Sequence, residues 1–127
     1  MKKMLLLGAA CLLSISAGAG HSSKRTANAV ERGHALFEYH CASCHGPGIG
    51  NPGHPWRTGT EALQVKYRGE LPALLAERKD LTPETVAYFV RNGVSIMAPY
   101  RKTEISDADL AALGAYLSRN NPDFAKK

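Results

Sequence analysis

Apolar residues recur at helical spacing through most of the chain, and no stretch sustains the period-two alternation of a half-buried strand. The first periodic segment is 29–40, where Val30, Leu36 and Phe37 form an apolar side behind Asn28 as a candidate N-cap. The run from Gly46 to Gly59 carries five glycines and three prolines and reads as irregular loop. Thr60 to Tyr67 reads as a short helix with Leu63 and Tyr67 on one face, and Leu71 to Glu77 as a further short turn.

The next helix has clearer ends. Thr82 suits its cap, Pro83 its first position and Glu84 the positive end of its dipole. Val86, Phe89 and Val90 make its buried stripe, and Gly93 stops it in the left-handed conformation. The last helix starts at Ser106, with Asp109 placed to complete a capping box. Leu110, Leu113 and Leu117 follow at helical spacing, and Asn121-Pro122 ends the pattern. The pattern predicts an all-α chain with long loops.

The amino-terminal segment belongs to another class. Lys2 and Lys3 precede an apolar run from Met4 to Ala17, and Ala17-Gly18-Ala19 fits a small-x-small cleavage site. A membrane span needs about 20 apolar residues, so the run is short for an anchor. Residues 1–19 therefore read as a signal peptide, 20–28 as a loose polar leader, 29–121 as the folded domain and 122–127 as a tail. A cut after Ala29 is the weaker alternative, because Lys24 and Arg25 precede it. Cys11 does not fit a lipidation site, since apolar residues continue past it to Ile15. The expected location is the periplasm, with no stable membrane insertion of the mature chain.

Cleavage after Ala19 would leave 14 basic against 11 acidic residues, a net charge of +3 compared with +5 for the whole chain. That is too mild for a nucleic-acid binder, and suits solubility and docking to an acidic partner. So much loop in a chain near 100 residues leaves little apolar core, which a large apolar cofactor would complete.

Two cysteines remain after cleavage, in Cys41-Ala42-Ser43-Cys44-His45. C-x-x-C-H is the attachment pattern of c-type haem. Each thiol adds to one haem vinyl group, the two intervening residues span the vinyls, and His45 follows as the proximal iron ligand. A dithiol oxidoreductase would show the same C-x-x-C but expects a βαβ context. A zinc site would need a second pair of ligands. A plain structural disulfide is the third alternative.

Met97 is the one methionine left after the leader, and follows a helix stop 52 residues beyond His45. A lone Met ordinarily fills a core gap; its loop position marks Met97 as the second axial ligand. His54 could compete, His34 and His40 less readily, and a five-coordinate iron for gas binding or peroxide chemistry is a further alternative. With His45 and Met97 both bound, the iron would have no substrate position and the chain would carry single electrons without being catalytic alone.

Together these residues resemble class I cytochromes c. Gly33 and Phe37 precede Cys41 as in the first helix of that family, and Leu113 and Tyr116 resemble their partners on the last. Gly33 and Gly114 would let those helices approach. Pro47 resembles the family proline whose neighbourhood supplies a backbone carbonyl to the ligand His. The resemblance implies three to five helices around one covalent haem c.

A narrower resemblance runs from Leu81 to Met97 and from Arg101 to Asp107, with Leu71-Pro72-Ala73. It is similar to the cytochrome subunit of p-cresol methylhydroxylase-type flavocytochromes. This implies a flavoprotein dehydrogenase partner that carries FAD and oxidises a 4-alkylphenol, and a later acceptor such as a small copper protein or another cytochrome. A freely diffusing cytochrome feeding a terminal oxidase is the alternative; a haem sensor or peroxidase is more remote. The chain departs from the class in having Ala98 directly after Met97, where Pro is frequent. Trp56 or Arg57 could bond a haem propionate, or Trp56 could simply pack on the haem edge. The exposed haem edge of this class points to Val94, Ser95, Ile96, Ala98 and Tyr100 as a docking patch, with Arg91, Arg101 and Lys102 either steering the approach or merely solvating the surface.

Overall fold

The computed structural model describes residues 19–124. Five α-helices follow in order: α1 (Ala19–His40), α2 (Ala42–His45), α3 (Thr58–Tyr67), α4 (Pro83–Asn92) and α5 (Asp107–Leu117), with a 3-10 turn at Leu75–Glu77 before α4. Among the described residues there is no strand, only an isolated bridge between Val94 and Met97. The all-α expectation holds.

Helix α1 crosses α5, and glycine makes the crossing close. A Cβ on Gly33 would lie 2.0 Å from the Ala112 carbonyl oxygen and 2.7 Å from Tyr116 Cβ. Beside it Phe37 is 2% exposed, its ring 5.6 Å from that of Tyr116. Phe37, Leu81, Val86, Val90, Ile105, Leu110, Leu113, Tyr116 and Leu117 form one core, with Cys41 and Tyr100 packed at its border. Gly114 serves a different contact from the one expected. A Cβ there would meet Pro83 at 3.1 Å, so it admits α4 to α5 and leaves the α1 crossing to Gly33.

The caps on α4 and α5 form as the sequence predicts. Thr82 Oγ1 accepts from Thr85 N at 3.1 Å, and Ser106 Oγ accepts from Asp109 N at 3.1 Å while donating to Asp109 Oδ2 at 2.8 Å. Helix α5 ends at Leu117, before the stop expected at Asn121-Pro122; Asn121 is buried, and its Nδ2 donates to the Leu81 carbonyl at 2.9 Å.

Two further boundaries and one buried position differ from expectation. Residues 20–28 are the opening turns of α1, so Asn28 lies inside a helix and caps nothing. No proline lies between Ala19 and Asn28, the one glycine is at the very start as Gly20, and Lys24, Arg25, Ala27 and Ala29 favour a helix. Helix α3 starts at Thr58, which brings Gly59 out of the loop and into its first turn. On α4, Phe89 is only half-buried, unlike Val86 and Val90. The signal-peptide expectation falls, up to residue 18, outside the described residues, as does the tail from 125. No helix among the described residues is long and apolar enough to cross a membrane.

Candidate haem-attachment site

Helix α1 delivers the C-x-x-C-H residues almost without a break. Cys41 N still donates to Phe37 O at 2.8 Å, and Cys41 is at once the N-cap of α2. Its carbonyl then accepts from Cys44 N at 3.0 Å and His45 N at 2.8 Å. Positions i, i+3 and i+4 of a helical turn share a face. Cys41, Cys44 and His45 hold those positions, so two thiols and an imidazole converge on one side of one turn.

Both thiols are free, and Cys41 is half-buried while Cys44 is exposed. Burial, and then the neighbouring Cys44, push the Cys41 thiol up to about 11. Dithiol oxidoreductases need a thiol moved the other way. Among the described residues no group of three His, Cys, Asp or Glu could hold a metal ion.

The His45 ring is set by α3. A Cβ on Gly59 would stand 2.6 Å from His45 Cε1 and 2.7 Å from Nδ1, so the imidazole occupies the room a side chain at 59 would take. Thr60, fully buried, bonds the Gly46 carbonyl at 3.3 Å and holds α3 on the turn after the motif. Burial lowers the His45 pKa, which favours the neutral ring that metal ligation requires. Nδ1 is buried with no hydrogen-bond partner. No hydrogen bond engages Nε2, the nitrogen free to meet an iron. Free thiols and an unengaged Nε2 on one face fit a covalent haem.

The hydrogen bond expected between the His45 ring and a backbone carbonyl near Pro47 is not formed. Arg57 Nε donates to Pro47 O at 2.9 Å, and Arg57 Nη1 to Ser43 O at 3.2 Å. Arg57 thus ties the loop to the motif. Trp56 is partly exposed, its carbonyl against Gly50, where a Cβ would lie 2.1 Å away. Sequence reasoning missed Gly59 because it closed a Gly/Pro-rich loop. The signal was a glycine followed by the helix-compatible Thr60-Glu61-Ala62-Leu63.

Met97 is half-buried on a pinned loop. Val94 N donates to Met97 O at 3.0 Å and Met97 N to Val94 O at 2.9 Å, closing a two-residue turn with Ser95 at φ 54°. Gly93 does not take the left-handed helical conformation expected: it has φ 69° and ψ 178°, extended in ψ and open essentially to glycine alone, and a Cβ there would meet Met97 O at 2.4 Å. Tyr100 returns the loop to α4 through its N–H to Val90 O at 2.8 Å. Tyr100 also bridges to the motif, donating its hydroxyl to His40 O at 2.9 Å. The structure thereby joins the Met97 loop to the residue before Cys41.

The rival histidines make other contacts. His54 Nδ1 pairs with Glu61 at 2.8 Å, His34 stacks on Tyr116 at 4.9 Å, and the His40 ring lies edge-on between Tyr39 and Tyr100. Of the residues set out for steering, Arg91 turns inward to the carbonyls of Tyr100 at 3.1 Å and Ile105 at 2.8 Å and to Asp107 at 3.0 Å. Arg101 pairs with Glu104 and Lys102 with Asp107. Val94 and Ile96 are exposed apolar residues on the same loop.

Residues 28–117 match the family model described as cytochrome C oxidase, cbb3-type, subunit III. The chain belongs to this family. It is a class I cytochrome c domain, and the fold and family imply covalent haem c and electron transfer. No significant match to this cytochrome was found among curated proteins or among solved structures.

Proposed function

We propose that this cytochrome carries a single haem c on Cys41 and Cys44, with His45 and Met97 as its axial ligands. The observation that carries the assignment is the shared face of Cys41, Cys44 and His45 on one turn, with the imidazole buried against Gly59 and its Nε2 unengaged. Haem iron supplies a one-electron couple. The chain's own residues do the rest: the thiols fix the group, and His45 and Met97 hold their donor atoms in place.

The donor we propose is the FAD of a flavoprotein dehydrogenase subunit, and the acceptor a small copper protein or another cytochrome. The resemblance of Leu81 to Asp107 supports that donor, and the exposed Val94 and Ile96 offer an apolar contact beside the Met97 loop. The setting is the periplasm, on the strength of the apolar leader. A second reading has its own support: the family description names an oxidase subunit, which favours delivery to a terminal oxidase.

The visible spectrum of protein expressed in an oxidising compartment tests the site. A c-type pyridine haemochrome is expected, lost in Cys41→Ala/Cys44→Ala. Ferric protein should show a long-wavelength sulfur-to-iron charge-transfer band, absent in Met97→Ala. Rapid carbon monoxide binding by the ferrous form would sink the Met97 assignment. Co-purification with a flavoprotein or with an oxidase separates the two readings of the partner.

A further inference from the structure

We propose that Arg91 is a positioning residue that keeps Met97 from being displaced at the iron, by bonding the carbonyls of Tyr100 and Ile105 at once and so holding the Met97 loop shut. The proposal rests on Met97 being the iron ligand. A ligand carried on a loop is exchanged for a free base only in molecules whose loop is open, so the apparent affinity for that base scales with the open fraction. Whatever holds the loop shut lowers that fraction.

Residues 93–106 join α4 to α5, and Met97 lies in their first half. Arg91, in the last turn of α4, donates from Nη1 to Tyr100 O at 3.1 Å and from Nη2 to Ile105 O at 2.8 Å. Val90 O takes the Tyr100 N–H at 2.8 Å, so consecutive residues of α4 grip Tyr100 at both its backbone groups. The two carbonyls held by Arg91 flank a turn that closes on itself, through Ile105 N to Arg101 O at 3.1 Å and Arg101 N to Glu104 Oε2 at 2.8 Å. Ile105 is fully buried in the core, so the guanidinium ties the residue three places beyond Met97 to a fixed point. The third contact of Arg91 is of another kind. Asp107 Oδ1 lies 3.0 Å away, but this carboxylate is 64% exposed and its Oδ2 also takes Lys102 Nζ at 2.8 Å. An ion pair so open to water contributes little. The closure therefore falls to the two carbonyl bonds, whose loss would leave acceptors unpaired at the border of the core. A lysine would keep the charge but present a point donor that cannot reach both carbonyls as the planar fork does.

The test is the equilibrium binding of imidazole to ferric, haem-loaded protein, followed in the visible spectrum, for wild type, Arg91→Lys, Asp107→Asn and Thr82→Ala. In this exchange the Met97 sulfur leaves the iron and an imidazole nitrogen takes its position; the iron stays ferric and no electron moves. Thr82→Ala removes the cap at the far end of α4 and serves as a variant of lowered stability alone. Wild-type ferric protein without the sulfur-to-iron band would defeat the Met97 assignment under Proposed function, a failure separate from this one. With the band present, Arg91→Lys is expected to bind imidazole about tenfold more tightly, the worth of one to two hydrogen bonds. Asp107→Asn and Thr82→Ala should stay within about twofold of wild type.

An Arg91→Lys affinity within about twofold of wild type overturns the proposal, since the lost bonds would then have held nothing shut. An equal rise in Asp107→Asn overturns it in favour of the ion pair, and an equal rise in Thr82→Ala in favour of a general loosening of the fold. A measurement on wild type alone covers an Arg91→Lys that loads no haem. The guanidinium protons of Arg91 are expected as separate, slowly exchanging nuclear magnetic resonance signals in the ferrous protein, and a freely rotating guanidinium overturns the proposal.

Discussion

The Tyr100 hydroxyl donates a 2.9 Å hydrogen bond to the carbonyl of His40, 60 residues earlier in the chain. It binds the loop carrying Met97 to the last residue before the Cys41 turn. Burial, and then the nearby Cys41 and Cys44, raise the Tyr100 pKa, so the phenol stays a donor across the neutral range. Tyr100→Phe keeps the ring and deletes the bond. It should cost about 1 kcal/mol in stability, read as a lower denaturation midpoint at an unchanged slope. It should also weaken the sulfur-to-iron band more at raised temperature than in wild type.

Gly93→Ala should act on the same loop more severely. The new Cβ would sit 2.4 Å from Met97 O, and the backbone at φ 69° and ψ 178° excludes it in any case. The loop must shift, and the long-wavelength band of ferric protein should disappear although haem remains attached. Retention of the band would separate Met97 ligation from the geometry of this turn.

Gly33→Ala tests the helix crossing. With the Ala112 carbonyl 2.0 Å from the added Cβ, α1 and α5 must separate and the contact of Phe37 with Tyr116 must open. A loss of about 3 kcal/mol is expected, at the upper end for overpacking. Gly114→Ala should be milder, because Pro83 Cβ at 3.1 Å and Cα at 3.2 Å leave more room than the Ala112 carbonyl at 2.0 Å leaves beside Gly33. Thermal melts of the two variants rank the sites.

Asp80 supplies the acid limb of stability. Its hydrogen bonds from the Arg78 guanidinium hold its carboxyl below the ordinary range. The folded pKa is the depressed one, so the contribution is complete above the unfolded value near 4 and lost as pH falls through the folded value. Arg78 is buried and lies 4.6 Å from the centre of the Tyr67 ring, so protonating Asp80 leaves a buried cation without its anion. The half-exposed carboxylate limits the effect to about 1 kcal/mol. Asp80→Asn should be less stable than wild type at neutral pH and lose less on acidification, measured as melting temperature against pH.

What the sequence disclosed follows the range of the interactions involved. Thr82 and Ser106 cap helices through atoms three residues away, so α4 and α5 were legible at their starts. The C-x-x-C-H turn was legible because its chemistry lies in five consecutive residues. The start of α1 was not, since Asn28 serves a helix interior or a cap and no breaker decides between them. Nor was the partner of Gly114, because a small residue announces a close approach without naming what approaches. Arg57 and Arg91 look in sequence like surface charges. Only the folded backbone brings the carbonyls of Ser43, Pro47, Tyr100 and Ile105 within their reach.

The paired backbone of Val94 and Met97, with Tyr100 fastened to Val90, has a kinetic meaning. With Met97 as the proposed ligand, its donor atom on so short and closed a loop would have little freedom to change its distance when the iron gains or loses an electron. Little nuclear rearrangement then accompanies the transfer, and a small reorganisation energy is what allows rapid exchange at modest driving force.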